Sequence, residues 1–472
     1  MYSFTFCAIL LVAGYLVYGA VVERIFGVDA QRPTPVQTRY DGVDYVPLPW
    51  WKIFLIQLLN IAGLGPIFGA VMGAVYGPAA FLWIVFGCIF GGAMHDYCAG
   101  MLSIRHGGES LPETLGRYMG KPFKQGIRIF SVLLMLQVGA VFIAGPAGLL
   151  AGLTPDFMTT TFWIVVIFVY YMLATLLPID KLIGRIYPFL GAAMLFMVIG
   201  VLISLFCYYP PIPEITQGVG NMRPDAAQYP IFPLLFISIA CGAISGFHAT
   251  QSPLMARCMK NEKLGRRIFF GSMIAEGLMA LTWAAAASSF FGSVGGLQQF
   301  LAEHGNNAAP VVDAIVNTWM GRLGGLLVIL GVVVAPITSG DTALRSARLI
   351  VADIANVEQR SLKKRLYITI PIFCAVFLLL QINFDVIWRY FAWSNQTLAA
   401  CTLWMITVYF ARQKRFYWIT LIPAIFMTMV CSTYLLIAPE GFSLQHTVAY
   451  IGGGGFTVVM LLIFIFWMRR VR

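Results

Sequence analysis

Apolar residues run along this chain in long blocks separated by short polar connections. Thirteen blocks reach the roughly 20 residues that a helix needs to cross a bilayer. They cover 3–22, 51–75, 79–104, 127–152, 158–178, 185–209, 231–256, 268–291, 322–350, 366–384, 387–410, 416–438 and 447–468. The first reads as a retained helix and not a signal peptide, because Met1 to Phe6 carries no positive charge and no small-residue cleavage site follows. No Pro/Ser-rich linker or charge block divides the chain, so the pattern predicts one all-α membrane domain over 1–472. The longest connection between spans on the second side, Gly292 to Met320, is either a lid dipping into a vestibule or a surface connector.

Composition agrees with the pattern. Of 472 residues, 59% are hydrophobic and 11% charged, and the mean hydropathy is +0.81. A soluble domain carries about 25% charged residues, so this chain cannot cover a water-facing surface. The net charge of +11 invites a nucleic-acid reading, which its placement removes. If thirteen spans alternate sides, the loops near 23–50, 105–126, 179–185, 257–267, 351–365 and 411–415 share one side with the C-terminus. Those loops, the adjoining helix ends and the C-terminus hold all but Arg223, Arg322 and Arg389 of the 31 Lys and Arg residues. Positive residues mark the cytoplasm. The expectation is a bacterial inner-membrane protein with its N-terminus outside and its C-terminus inside, lying in lipid and binding no nucleic acid. Nine cysteines without a C-x-x-C pair and five histidines without H-x-x-x-H spacing support neither a disulfide framework nor a metal site, and no cofactor is expected.

Three spans are interrupted by polar and helix-weakening residues. The second contains Asn60, Ala62, Gly63, Gly65 and Pro66, the signature of either a helix broken at a binding site or a Pro-kinked packing helix. Downstream, Gly65, Gly69, Gly73 and Gly77 repeat at spacing four, a flat stripe for close helix contact. The seventh span gathers Ser245, Gly246, His248, Thr250, Gln251, Ser252 and Pro253, so His248 is either a satisfied core histidine or, amid these polar neighbours, faces a wet cavity. In the ninth, Thr338, Ser339, Asp341 and Thr342 follow Pro336. Asp341 is either a functional carboxylate at bilayer depth or the partner of Arg345 one turn on, and the hydroxyls are either cation ligands or back-bonded to their helix. His95 and Asp96 in the third span and Glu276 in the eighth suit either a proton relay or helix-to-helix hydrogen bonding. Trp393 and Asn395 in the eleventh combine an aromatic gate candidate with polar partners.

The two most disrupted helices lie five spans apart and start on opposite sides. That describes two inverted five-helix units, 51–209 and 231–410, with 1–50 before them and two helices in 411–472 after. Half-helix N-termini there would face an anionic substrate group. The strings Gly-Pro-Ile-Phe-Gly-Ala (65–70), Met-His-Asp-Tyr (94–97), Ser-Gly-Phe-His-Ala-Thr-Gln-Ser-Pro (245–253), Ala-Pro-Ile-Thr-Ser-Gly-Asp-Thr-Ala (335–343) and Trp-Ser-Asn-Gln (393–396) resemble the CstA (carbon starvation) family over about residues 50–400. The resemblance implies a LeuT-type fold and uptake of scavenged carbon compounds, with peptides and pyruvate the associated substrates and proton coupling. By that analogy a cation site would use backbone near Ala62 and Gly63 with Thr338 and Ser339, whereas Asp341 and His248 suit a proton. His248, titrating near neutrality when unperturbed, is the expected sensor at a substrate carboxylate.

The leading expectation is a secondary transporter of a small carboxylate-bearing nutrient, coupled to protons or sodium. No Walker A motif is present. A membrane-embedded enzyme using His95, Asp96 or His248 lacks H-E-x-x-H and G-x-S-x-G and has no need of inverted broken helices. A channel would show a repeated filter motif, and none is visible.

Overall fold

Among the residues described by a computed structural model (1–42, 45–176, 187–357 and 361–471), all regular structure is helical. The helices, in chain order, begin with α1 (Tyr2–Phe26), α2 (Trp50–Ala62), α3 (Gly65–Tyr76) and α4 (Pro78–Arg105). Then come α5 (Leu111–Met119), α6 (Lys121–Leu153), α7 (Thr160–Leu176) and α8 (Tyr187–Tyr208). The middle of the chain forms α9 (Ile231–Ser238), α10 (Gly246–Ala256), α11 (Glu262–Phe290), α12 (Val294–Glu303) and α13 (Ala308–Val328). The last five are α14 (Val334–Ala355), α15 (Leu362–Leu379), α16 (Phe384–Arg412), α17 (Trp418–Ile437) and α18 (His446–Val471). The expected loop near 179–185 lies outside the described residues.

By length and composition, seven of these helices can cross a membrane, and the bent pair α2–α3 makes eight. Other expected spans are helical but split (α9 and α10), shorter (α7), or interrupted by charge, as where α14 holds Asp341, Arg345 and Arg348. Two stretches expected as connections are helical instead. Residues 111–119 form α5, with Leu111 and Leu115 buried. The segment from Gly292 to Met320 is built by α12 and the start of α13, which bends at Gly321. Val294, Leu297 and Leu301, then Val312, Ile315 and Val316, are buried at helical spacing, so an apolar face docks each helix on the bundle.

The breaks decide what lies at the centre. Gly63 ends α2 with φ +47 and ψ −135, and α3 leaves at 55° to it. A Cβ on Gly63 would sit 2.6 Å from the Phe142 ring, so the position admits only glycine. The expected stripe is used for close contact: Gly65, Gly69 and Gly73 lie against Cys241, Ser238 and Ile239, at and beside the unwound stretch between α9 and α10. Gly77 instead makes the positive-φ turn into α4. The two interrupted helices therefore meet at their interruptions.

Neighbouring helices satisfy the polar groups that the breaks release. Asn395 on α16 accepts from the Phe247 N–H (2.7 Å) and the Ser245 hydroxyl (3.0 Å), capping α10. The Gln396 amide donates to the Phe236 carbonyl in the last turn of α9, and the Trp83 indole to the Ile239 carbonyl. Tyr171 on α7 places its hydroxyl 3.0 Å from the Phe142 carbonyl, which Pro146 four residues on leaves without a helix partner, and 3.0 Å from the Pro336 carbonyl. At one end of the bundle, the buried Glu262 accepts from Arg105 and Arg32, while Arg105 also donates to Tyr409 (2.6 Å) and to the Gly27 carbonyl.

Gly63→Ala is expected to lower the melting temperature of the detergent-solubilised protein, with a cost of order 1–3 kcal/mol for the forced backbone. Gly126→Ala, where an added Cβ meets nothing within 4 Å, should leave the melt unchanged or raise it.

Candidate functional site

Next to the broken helices, four ionisable side chains from three helices form one network, and each is fully buried. In α4, a π-helical turn over Gly87–Ala93 leads directly into His95 and Asp96. Such turns recur at functional sites because they re-aim the residues that follow. Small residues let the helices close up here: a Cβ on Gly92 would lie 2.3 Å from the Ala243 carbonyl of the unwound stretch and 2.8 Å from Met273 of α11.

Asp96 is the hub. One carboxylate oxygen is 2.8 Å from Nδ1 of His95, and the other is 2.8 Å from Nδ1 of His248 on α10. Each imidazole thus presents Nδ1–H to Asp96, and the other ring nitrogen is left for a further proton exchange. His248 turns its Nε2 toward Glu276 of α11 at 3.5 Å, beyond hydrogen-bond length. Neither Glu276 oxygen nor Nε2 of His95 has a hydrogen-bond partner among the described residues. Charges buried this fully must balance one another, so one proton more or less on this group has large consequences.

The other expected residues fall into distinct settings. Asn60, on the last turn of α2, is buried, and neither end of its amide has a partner among the described residues. Thr250 donates to the Phe247 carbonyl and accepts from Gln251. Ser245, Gly246 and Asn395 form the cap of α10, with Gly246 pressed on the backbone of Asn395 and Ala399. Gly63 and Gly65 make the break itself, next to the buried Ala62. Trp393 points elsewhere, its indole donating to the Cys431 carbonyl of α17. The aromatic residues at the break are instead Phe247, Phe142, Phe391 and Trp388, with successive ring centroids 5.6–6.3 Å apart.

Asp341 has the ion-pair geometry, 3.7 Å from Arg345, and accepts from Tyr187 at 3.2 Å. Thr338 and Thr342 bond back to their own helix, whereas the Ser339 hydroxyl also reaches the Leu59 carbonyl of α2 at 2.9 Å. The sequence reading missed Gln57, whose amide donates to Ser252 across the α2–α10 contact, and Tyr187. A single glutamine one turn before Asn60 in an apolar helix was the available signal. A cavity of about 480 Å³ lies among Ala144, Gly148, Asn307, Pro310, Asp313 and Phe384, and the α12–α13 connection borders it through Asn307. No group of three or more His, Cys, Asp or Glu among the described residues is arranged to hold a metal ion.

A family model described as "Carbon starvation protein CstA" matches residues 1–161, 152–320 and 287–434. An "Uncharacterized membrane protein" of Haemophilus influenzae is 45% identical, covering 63% of this chain and 93% of its own length. The "Peptide transporter CstA" of Bacillus subtilis is 26% identical over 93% of this chain and 92% of that protein. The "Pyruvate/proton symporter BtsT" of Escherichia coli is 24% identical over 88% of this chain and 78% of that protein. Among solved structures, the Eremococcus coleocola manganese transporter is similar, with a TM-score of 0.57 at 14% identity over 92% of this chain and 99% of that one. That likeness concerns the fold alone. The relatives named for an activity and this structural neighbour are transporters, not enzymes.

Asn395→Ala should leave the Phe247 N–H and the Ser245 hydroxyl unmet and destabilise the protein by about 1–3 kcal/mol. Thermal unfolding in detergent checks this, and Thr397→Ala on the same helix, whose hydroxyl bonds back to the Trp393 carbonyl of its own turn, should cost far less.

Proposed function

The chain belongs to the carbon starvation protein CstA family, and on that premise we propose that it is a proton-coupled secondary transporter in the bacterial inner membrane. It takes up a small carboxylate-bearing nutrient, a peptide or pyruvate, by alternating access. In this reading thirteen helices span the bilayer, with the N-terminus outside. The core is a LeuT-type pair of inverted five-helix units over 51–209 and 231–410, with the two broken helices opening the units. The whole chain acts as one membrane domain.

The observation that carries this reading is the bridging of two histidines by Asp96, with Glu276 facing His248, in full burial beside a helix break. A charge brought from water into such a place is costly unless it is paired. Asp96 and a protonated His248 balance, and the coupling proton is a further one carried by Glu276, whose carboxyl faces His248 Nε2. Rocking of one unit against the other changes the distances between α4, α10 and α11, so proton affinity differs between the two states. A difference of that kind is what couples one flux to another. The N-terminus of α10, at Gly246, offers partial positive charge for the carboxylate of the solute.

A sodium-coupled variant has one observation in its favour: Ser339 on α14 meets the Leu59 carbonyl of α2 near the break, among hydroxyls able to ligate a cation.

Proteoliposomes loaded for separate proton and sodium gradients, and given labelled pyruvate or a tripeptide, decide between these. One pH unit stores about 1.4 kcal/mol per proton, so single-proton coupling gives about tenfold accumulation. Glu276→Gln should abolish accumulation while keeping solute counterflow. Accumulation driven by sodium alone would move the coupling to the Ser339 site, and undiminished accumulation in Glu276→Gln would remove Glu276 from it.

A further inference from the structure

Two buried glutamines, Gln57 on α2 and Gln251 on α10, lie on the two broken helices with their amide orientation fixed by local chemistry. On α10, the Ser252 hydroxyl donates to the His248 carbonyl (3.0 Å), so its oxygen is left to accept, and it takes the Nε2–H of Gln57 on α2 (3.3 Å). Two residues before Ser252, the Thr250 hydroxyl donates to the Phe247 carbonyl (2.6 Å) and accepts from Nε2 of Gln251 (3.0 Å). Glutamine oxygen and nitrogen are ordinarily interchangeable in a structure, and it is the committed hydroxyl protons that settle both here. Each glutamine therefore presents an oxygen, and neither Oε1 has a hydrogen-bond partner among the described residues. Asn60, one turn beyond Gln57, likewise has no partner for its oxygen or its nitrogen among the described residues. All three side chains are fully buried.

Native interiors leave few such groups unmet, and an acceptor oxygen is answered only by a donor. A keto acid anion offers acceptors alone and would set oxygen against oxygen. An ammonium or amide group offers N–H bonds, and an amide also has a carbonyl for the Asn60 nitrogen. We infer that Gln57 and Gln251 are specificity-determining acceptors for N–H groups of the solute, so that the site prefers an ammonium- or amide-bearing solute to an acid carrying only oxygen acceptors. This rests on the transporter reading above and deepens it.

The test compares labelled di- and trialanine with labelled pyruvate in proteoliposomes under an inward proton gradient, using wild type, Gln57→Met and Gln251→Met. The expected result is wild-type uptake of an alanine peptide with a KM at least tenfold below that for pyruvate, since a site built to hydrogen-bond a group discriminates strongly against its absence. Each methionine variant should raise the peptide KM about tenfold or more and so narrow or remove the preference for peptide over pyruvate. Pyruvate uptake equal to or better than that of the peptides overturns the inference while leaving the transporter reading intact. So does an unchanged peptide KM in both variants, or sodium-dependent uptake indifferent to N–H content, which would assign the two oxygens to a cation. If a variant fails to fold, the wild-type comparison decides alone. Counterflow of neither peptides nor pyruvate overturns both the inference and the reading beneath it.

Discussion

Backbone groups released where α2 gives way to α3, and α9 to α10, must find partners inside the protein, because lipid offers none and each unmet group costs several kcal/mol. Much of the central architecture answers that demand. Asn395 and Gln396 on α16 serve the second break from one side and Trp83 on α4 from another, while Tyr171 serves a carbonyl freed by a proline in α6. The same demand explains the tight approach of α3, whose glycines bring its backbone against Ser238, Ile239 and Cys241. Glycine at 340 has an equally local cause, since a Cβ there would lie 2.1 Å from the Tyr171 hydroxyl. Thus residues that look like motif letters in the sequence are the supports of two interruptions that touch.

Once the backbone is satisfied, the unsatisfied side chains carry information. Asp96 has a partner for each oxygen, yet Glu276 and the amides of Gln57, Gln251 and Asn60 retain unmet atoms in full burial. They fall into two groups that touch the same helices. One can change its charge by a proton, and the other can receive N–H groups. His248 links them, because its ring joins the charged network while its carbonyl takes the Ser252 proton that orients Gln57. A solute bound at the glutamines and a proton held by the network are thereby coupled through one turn of α10, the short physical path that cotransport requires.

The sequence shows some of this directly and some not at all. Glycine and proline clusters mark both breaks, since their effect on the backbone is local, and polar residues amid apolar runs picked out His95, Asp96, His248 and Glu276 one by one. That these four meet depends on packing between helices far apart in the chain, which no local pattern encodes. Trp393 was grouped with Asn395 by adjacency, although two residues along a helix differ by about 200° and so face opposite ways. The helices α12 and α13 were passed over because the polar run Glu303 to Asn307 outweighed the helical spacing of the apolar positions on either side. Gln57 went unnoticed for want of company; its importance comes from Ser252, 195 residues away.

In the proposed mechanism a proton moves with the solute through a fully buried site. Proton flux itself is the most direct observable. Proteoliposomes loaded with a pH-sensitive dye, weakly buffered and held without a membrane potential, should acidify internally when an alanine peptide is added outside, at a rate proportional to labelled peptide uptake. Peptide uptake at the wild-type rate with no internal acidification would contradict the account.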